Sequence, residues 1–266
     1  MAEQRTYGSG LIRDVELLEV LTRPEARDGG LGVSRVAELA GRDKAQVSRA
    51  LATLTEAGLV HRDPTSRAYR PGWRLFSLAA RTGEAELAQL GAPFLRRVVT
   101  GLNETTHLCV LRGNDVLTLR SQLALHAFRG LGWEGTAVNT YTTSAGRTLM
   151  SDWDEQTLRE WWQLHPPELP ASPEPAALPG KPEPRGTITV ATWLARIAEI
   201  RERGYATVDE EFEPGLVGVS APVRGFRGDI VAAINVAAPK ERLGAHLERA
   251  GEFTRSVADE MSAALR

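Results

Sequence analysis

Between Gly41 and Arg70 the sequence GRDKAQVSRALATLTEAGLVHRDPTSRAYR leaves little freedom in how it folds. Val47, Ala50, Leu51 and Leu54 recur at i, i+3, i+4 and i+7, the spacing of a half-buried helix. The pattern predicts a helix from Lys44 to about Ala57, stopped by Gly58. LVHRDPTSRAYR then reads as two short strands around Asp63-Pro64-Thr65-Ser66, with Asp first and Pro second as a type I turn prefers. Upstream, Leu11, Val15, Leu18 and Leu21 predict an amphipathic helix ending near Pro24 and the loop RDGGLG. Ser34 suits the N-cap of a short second helix running to about Ala40.

Helix, helix, turn, helix and a two-stranded wing make a winged helix-turn-helix. DNA's major groove admits one such helix, and bases are read by side chains near its N-terminus. With the apolar stripe buried, the outward arc holds Ala45, Gln46, Ser48, Arg49, Ala52 and Thr53, with Lys44 at its start. The small residues permit close approach, Gln46 can pair with adenine, and Arg49 with guanine or phosphate. Ser34 and Arg42 lie near the same surface, and Arg62 and Arg67 flank the wing turn, where they suit phosphate or the minor groove. Blander readings stand beside these. Asp43 and Gln46 also fit a capping box, Arg49 suits a solvated face, and three-helix modules also dock proteins.

Charge favours the DNA reading. From Ser34 to Arg74 there are eight Lys or Arg against four Asp or Glu, whereas from Arg81 onward there are 20 basic against 24 acidic residues. A basic module on an acidic body suits a nucleic-acid reader with a separate regulatory part, although the net charge is only −2. The single cysteine, Cys109, excludes an internal disulfide framework and a multi-cysteine zinc site. No signal-peptide pattern or membrane-length apolar run is evident, so the cytoplasm is the expected compartment and no membrane partner is expected.

WRLFSLAA and EAELAQLGAPFLRRVVTGL read as helices, the second broken or started at Pro93. From Thr105 the period becomes two. THLCVLRGNDVLTLRSQ predicts a hairpin turning at Gly113-Asn114-Asp115, and VGVSAPVRG with DIVAAINVAAP predicts another. Helices are expected at Ser144–Met150, at about Asp154–Leu164, over TWLARIAEIRER ending at Gly204, and over the closing segment from Glu241. Eight of 15 prolines fall between Pro166 and Pro184, which reads as an extended surface loop. The expected class is α+β. A winged helix-turn-helix (1–75) is joined by a linker helix (76–92) to an α+β effector-binding domain with an antiparallel sheet (93–266).

VSRVAELAGRDKAQVSRALATLTEAGLVHRD followed by YRPGWRLFSLA resembles the N-terminal domain of IclR-type bacterial transcriptional regulators. TSAGRTLMS, RGYATVDEEFEPGLVGVSAPV and VAAINVAAP are similar to segments of their second domain, in the family's order. The resemblance implies an α+β domain that binds a small-molecule effector, a homodimer or dimer of dimers, and control of a catabolic operon, as a repressor; because one module reads few bases, a two-fold dimer on a palindromic double-stranded operator is expected. By residue match the effector shell falls on the loop from Phe128 through Leu131 to Trp133, on Ser144 and Ala145, on Leu216 and Gly218, and on Asn235 and Ala237. Two departures from the family pattern stand out. Asn139, Thr140 and Tyr141 replace its frequent Pro-Leu-His, and Val208 replaces a further Asp.

The residues themselves suggest an aromatic acid or an uncharged amide-like relative as effector. Thr142, Thr143 and Ser144 lead into a helix start, Phe128 and Trp133 can cover a flat ring unless they are ordinary core, and Asn235 and Tyr141 add neutral hydrogen bonds. An enzyme is the rival reading. Cys109 and His107 share a strand face, but no oxyanion hole or third partner can be read around them. DEEFE (Asp209–Glu213) lacks calcium-loop spacing and reads as a solvated or helix-capping acid run. No cofactor or metal is expected. A winged helix that docks protein is a third reading, and salt distinguishes it, since only DNA binding weakens steeply as salt rises.

Overall fold

A computed structural model describes residues 9–126, 133–167 and 188–266. The chain divides into two compact units, Met1–Glu86 and Leu87–Arg266.

In the first unit α1 (Ser9–Val20), α2 (Val33–Leu39) and α3 (Lys44–Glu56) enclose one apolar cluster, which β1 (Val60–Arg62) and β2 (Tyr69–Pro71) close. Val47, Leu51 and Leu54 of α3 are buried there, each contributing about 1.5–3 kcal/mol relative to exposure. Asp43 caps α3, its Oδ1 accepting from the backbone N–H groups of Ala45 and Gln46, both at 3.0 Å. The hairpin is antiparallel with His61 opposite Arg70, and Leu31 bridges to Tyr69, so the segment before α2 becomes a third edge of the wing. α4 (Trp73–Ala79) follows.

Two sequence expectations shift. In α1 the buried side chains are Leu17 and Val20, joined by Leu21 just past its end, while Leu11 and Val15 are exposed; apolar residues lie on more than one face of the helix, and the stripe chosen from spacing was one of two available. α2 starts two residues earlier than expected. Gly32 is its N-cap without a side-chain bond, and Ser34 lies inside the first turn.

The second unit is built on a six-stranded, wholly antiparallel sheet. Its strands are β3 (Thr106–Arg112), β4 (Asp115–Gln122), β5 (Ala137–Asn139), β6 (Ala206–Asp209), β7 (Leu216–Arg224) and β8 (Ile230–Pro239), in the order β5-β4-β3-β8-β7-β6. Alternation divides the strand residues between two faces. Leu108, Val110, Val219 and Ile234 meet Leu95 and Val98 of α5 (Gly83–Leu102) and Val257 and Met261 of α10 (Leu247–Ala264). Cys109, Val116 and Ala233 meet Ala145 and Leu149 of α6 (Ser144–Leu149) on the opposite face. Beyond α6, α7 (Glu155–Leu164) and α8 (Val190–Arg203) contribute Leu158, Trp161, Trp193 and Ile197 to a third apolar cluster. Gly204 ends α8 at φ 78°, in the left-handed region where the absence of Cβ removes the steric penalty.

Pro93 neither breaks nor starts α5. It is exposed, so the carbonyl that loses its partner faces solvent instead of core. Leu95 of this helix is fully buried under the sheet and unavailable to a second chain. The closing helix is divided, with α9 (Lys240–Leu243) and a 3-10 turn at Gly244–His246 preceding α10. Strands β5 and β6 were not anticipated, being only three and four residues long. Most of the proline-rich stretch lies outside the described residues.

Candidate functional site

In the first unit Lys44, Gln46, Ser48 and Arg49 are exposed on the side of α3 opposite its buried stripe. The Asp43 cap fixes the N-terminal turn that carries them. Ser34 is exposed on α2, and Arg62 and Arg67 are exposed on the wing. Asp63 organises the wing tip: its Oδ1 accepts from Thr65 N, Ser66 N and Ser66 Oγ, and these bonds lower its carboxyl below the usual range. The turn closes with Arg67 N donating to Asp63 O at 2.9 Å and Arg67 at φ 59°, a left-handed conformation that a bulky residue adopts only where the surrounding bonds hold it. The Arg62 guanidinium lies 5.3 Å from the Tyr69 ring centroid. Arg42 departs from the expectation of a DNA contact. Its Nη1 donates to Arg13 O at 2.7 Å beside Asp14, holding the helix-turn-helix turn to α1. Arg70, not singled out from sequence, is an exposed wing cation on β2; strand alternation from Tyr69 was the signal for it.

In the second unit a cleft opens between α6 and the sheet. Trp133, Ser144, Ala145, Leu216, Gly218, Asn235 and Ala237, far apart in sequence, all line it. Phe128 and Leu131 lie outside the described residues. Tyr141 does not reach the cleft. It is buried among Trp161, Trp162 and Trp193, with ring centroids 4.9–5.7 Å away, because the turn before α6 aims it at the third cluster. Sequence reasoning missed His107, Cys109, Thr118 and Phe212 as lining residues, although the period-two pattern of β3 and β4 puts the first three on one face.

The cleft's polar groups are mostly held by each other. Asn235 Nδ2 donates to Ser144 Oγ at 2.9 Å, Ser220 Oγ at 3.0 Å and the Val219 carbonyl at 3.3 Å, tying α6 to β7 and β8. Gly218 has no Cβ where one would lie 3.2 Å from Ser144 Oγ, so α6 packs close to the sheet. Trp133 stands edge-on to Phe212 and to His107, at centroid distances of 6.2 and 6.4 Å. Burial pushes the His107 imidazole down to about 4 and the Cys109 thiol up to about 12. At neutral pH both are uncharged, so the pair holds no thiolate nucleophile. The acid run caps no helix; Glu213 is exposed, and the other three carboxylates are ion-paired. Lys240 Nζ binds Asp209 and Glu210, and Arg147 binds Glu211. Among the described residues no group of acidic, His and Cys side chains is arranged to hold a metal, and no helix is long and apolar enough to cross a membrane.

A model of the C-terminal domain of IclR bacterial transcriptional regulators matches residues 79–263, and one of the IclR helix-turn-helix domain matches residues 11–64. The chain is 26% identical over 221 residues to the Pca regulon regulatory protein of Pseudomonas putida, covering 82% of this chain and 71% of that protein. It is 26% identical over 261 residues to the HTH-type transcriptional regulator BhcR of Paracoccus denitrificans, covering 95% and 85% respectively. The fold is similar to that of Thermotoga maritima IclR (TM-score 0.71, 21% identity, 96% of this chain and 98% of that one). It is also similar to an IclR homolog from Microbacterium hydrocarbonoxydans complexed with 4-hydroxybenzoate (TM-score 0.76, 23% identity, 97% and 99%). Winged helix, antiparallel effector domain and relatives agree: this chain belongs to the IclR family and is a DNA-binding transcriptional regulator, not an enzyme.

Proposed function

We propose that the protein represses a catabolic operon from a palindromic operator in the cytoplasm, and that a small aromatic effector in the α6 cleft changes its hold on DNA. The aromatic lining, Trp133 edge-on to Phe212, carries the effector reading. The names of two relatives support it: one is a Pca regulon regulator, the other was solved with 4-hydroxybenzoate. Gln46 and Arg49 read bases, Ser48 permits close approach, and Ser34, Lys44, Arg62 and Arg67 contact phosphate or the minor groove.

A homodimer, or a dimer of dimers, follows from the small reading surface of one module and from two apolar patches on the first unit. Leu11 and Ile12 of α1 and Trp73 and Phe76 of α4 are each at least 61% exposed, more than an isolated soluble module ordinarily leaves open. Half-sites are then expected about 10–10.5 base pairs apart, or a multiple of that. Light scattering of the free and DNA-bound protein tests the assembly, and a monomer in both states contradicts it. Calorimetry with aromatic and aliphatic acids tests the pocket. Binding of short aliphatic acids alone, unaffected by Trp133→Ala, contradicts an aromatic effector.

A further inference from the structure

His107 brings to the cleft a hydrogen-bonding group that can choose among ligands. His107 is 5% exposed, and its Nδ1 lies 2.9 Å from Ser121 Oγ. Its Nε2 has no hydrogen-bond partner among the described residues and is not fully buried.

The rest of the lining is neutral. No Lys, Arg, Asp or Glu is among the described residues that form it. The cations carried beside it are already matched, Arg147 of α6 with Glu211 and Lys240 after β8 with Asp209 and Glu210. Glu134, next to Trp133, accepts from Ser121 N at 2.7 Å, which adds a negative charge on the far side of the Ser121 that holds His107. Among the described residues of the lining a carboxylate would find no counter-charge to replace its lost water. Ser144 Oγ already accepts from Asn235, so its own hydrogen is free for a ligand carbonyl.

We infer that His107 carries its proton on Nδ1 and donates it to Ser121 Oγ, that the Nε2 lone pair this leaves makes His107 the specificity-determining residue of this cleft, and that its ligand is an uncharged aromatic carrying a hydroxyl donor that meets Nε2 and a carbonyl that meets Ser144. The inference rests on the reading of the cleft as the effector site and narrows that reading to neutral phenols.

Three probes of similar size separate the terms: 4-hydroxybenzamide, 4-hydroxybenzoate (an anion at pH 7) and 4-methylbenzamide, which replaces the hydroxyl by a methyl group. Calorimetry with the full chain at pH 7 is expected to give 4-hydroxybenzamide roughly tenfold or more tighter binding than either of the others, the value of about one well-made hydrogen bond or one avoided charge burial. His107→Phe, checked for an unchanged melting profile, is expected to remove the preference for hydroxyl over methyl, and His107→Gln, which restores an acceptor, to recover part of it. The wild-type comparison needs no variant to fold. If 4-hydroxybenzoate binds as tightly as the amide, or 4-methylbenzamide matches 4-hydroxybenzamide, the inference is overturned while the cleft remains an aromatic site. If none of the three binds, the effector reading falls with it.

Discussion

Arg147, 1% exposed in α6, and Glu211, beside the cleft residue Phe212, are joined by two parallel hydrogen bonds, Nη1 to Oε1 at 3.2 Å and Nη2 to Oε2 at 2.5 Å. Nε of the same guanidinium donates to the Tyr141 carbonyl at 2.8 Å. One buried cation therefore fixes both the start of α6 and the loop that carries Phe212. Glu211→Gln is expected to cost about 3 kcal/mol, since it leaves a buried arginine without its charge partner. Urea unfolding measures it, and a loss below about 1 kcal/mol would show that water reaches the guanidinium instead.

Gly146 makes the second close contact of α6. A Cβ there would lie 2.4 Å from the Thr140 Cα and carbonyl oxygen, both backbone atoms that cannot swing aside. Gly146→Ala is expected to lift α6 from the turn and cost about 2–3 kcal/mol, despite the gain in helix propensity. A thermal melt no lower than wild type would contradict this placement.

Burial of His107 makes stability depend on pH. Its folded value of about 4 lies below the ordinary 6.5, so between these values the unfolded chain binds the proton more readily and stability rises with pH. The deficit is complete below the folded value and amounts to about 3 kcal/mol. Carboxylates such as Asp154, lowered by its bonds to Thr157, act in the same direction, so the comparison must be with a variant. Wild type is expected to lose about 2–3 kcal/mol more than His107→Phe between pH 7 and pH 4.5. Parallel urea titrations of the two would place His107 in water.

The winged helix was legible because each of its parts is local. The stripe Val47-Leu51-Leu54, the Asp43 cap and the Asp63-Pro64 turn all lie within about twenty residues, and each is specified by near neighbours. The strands β3, β4, β7 and β8 were legible for the same reason, as alternation bounded by turns. What escaped needs tertiary partners. Tyr141 and Trp133 are both aromatic residues near the same helix start, and only the packing of α7 and α8 decides that Tyr141 joins Trp161 and Trp193 while Trp133 meets the cleft. Arg42 sits in the basic stretch, but its target is a carbonyl 29 residues away. The acid run found its cations at Arg147 and Lys240, which no local spacing announces.

On the DNA side, Arg49→Ala and Gln46→Ala are expected to lose sequence discrimination by about 1–3 kcal/mol each. Arg67→Ala is expected to weaken binding to all sequences and reduce the salt slope by about one unit. Selection of bound duplexes from a random pool, followed by footprinting, checks all three. An inverted repeat recovered equally well by Arg49→Ala would take α3 out of the major groove at that position.

The most direct test is the coupling of the two units through one ligand. Fluorescence anisotropy of the selected operator duplex is measured with and without saturating 4-hydroxybenzamide, for wild type and Trp133→Ala. A regulator of this kind must bind the ligand differently in its DNA-bound and free states, and the coupling is reciprocal. The account predicts that the ligand shifts operator affinity by about 5–150-fold, that operator DNA shifts ligand affinity by the same factor, and that Trp133→Ala binds operator normally without responding. Tight ligand binding with an unchanged operator curve would contradict it.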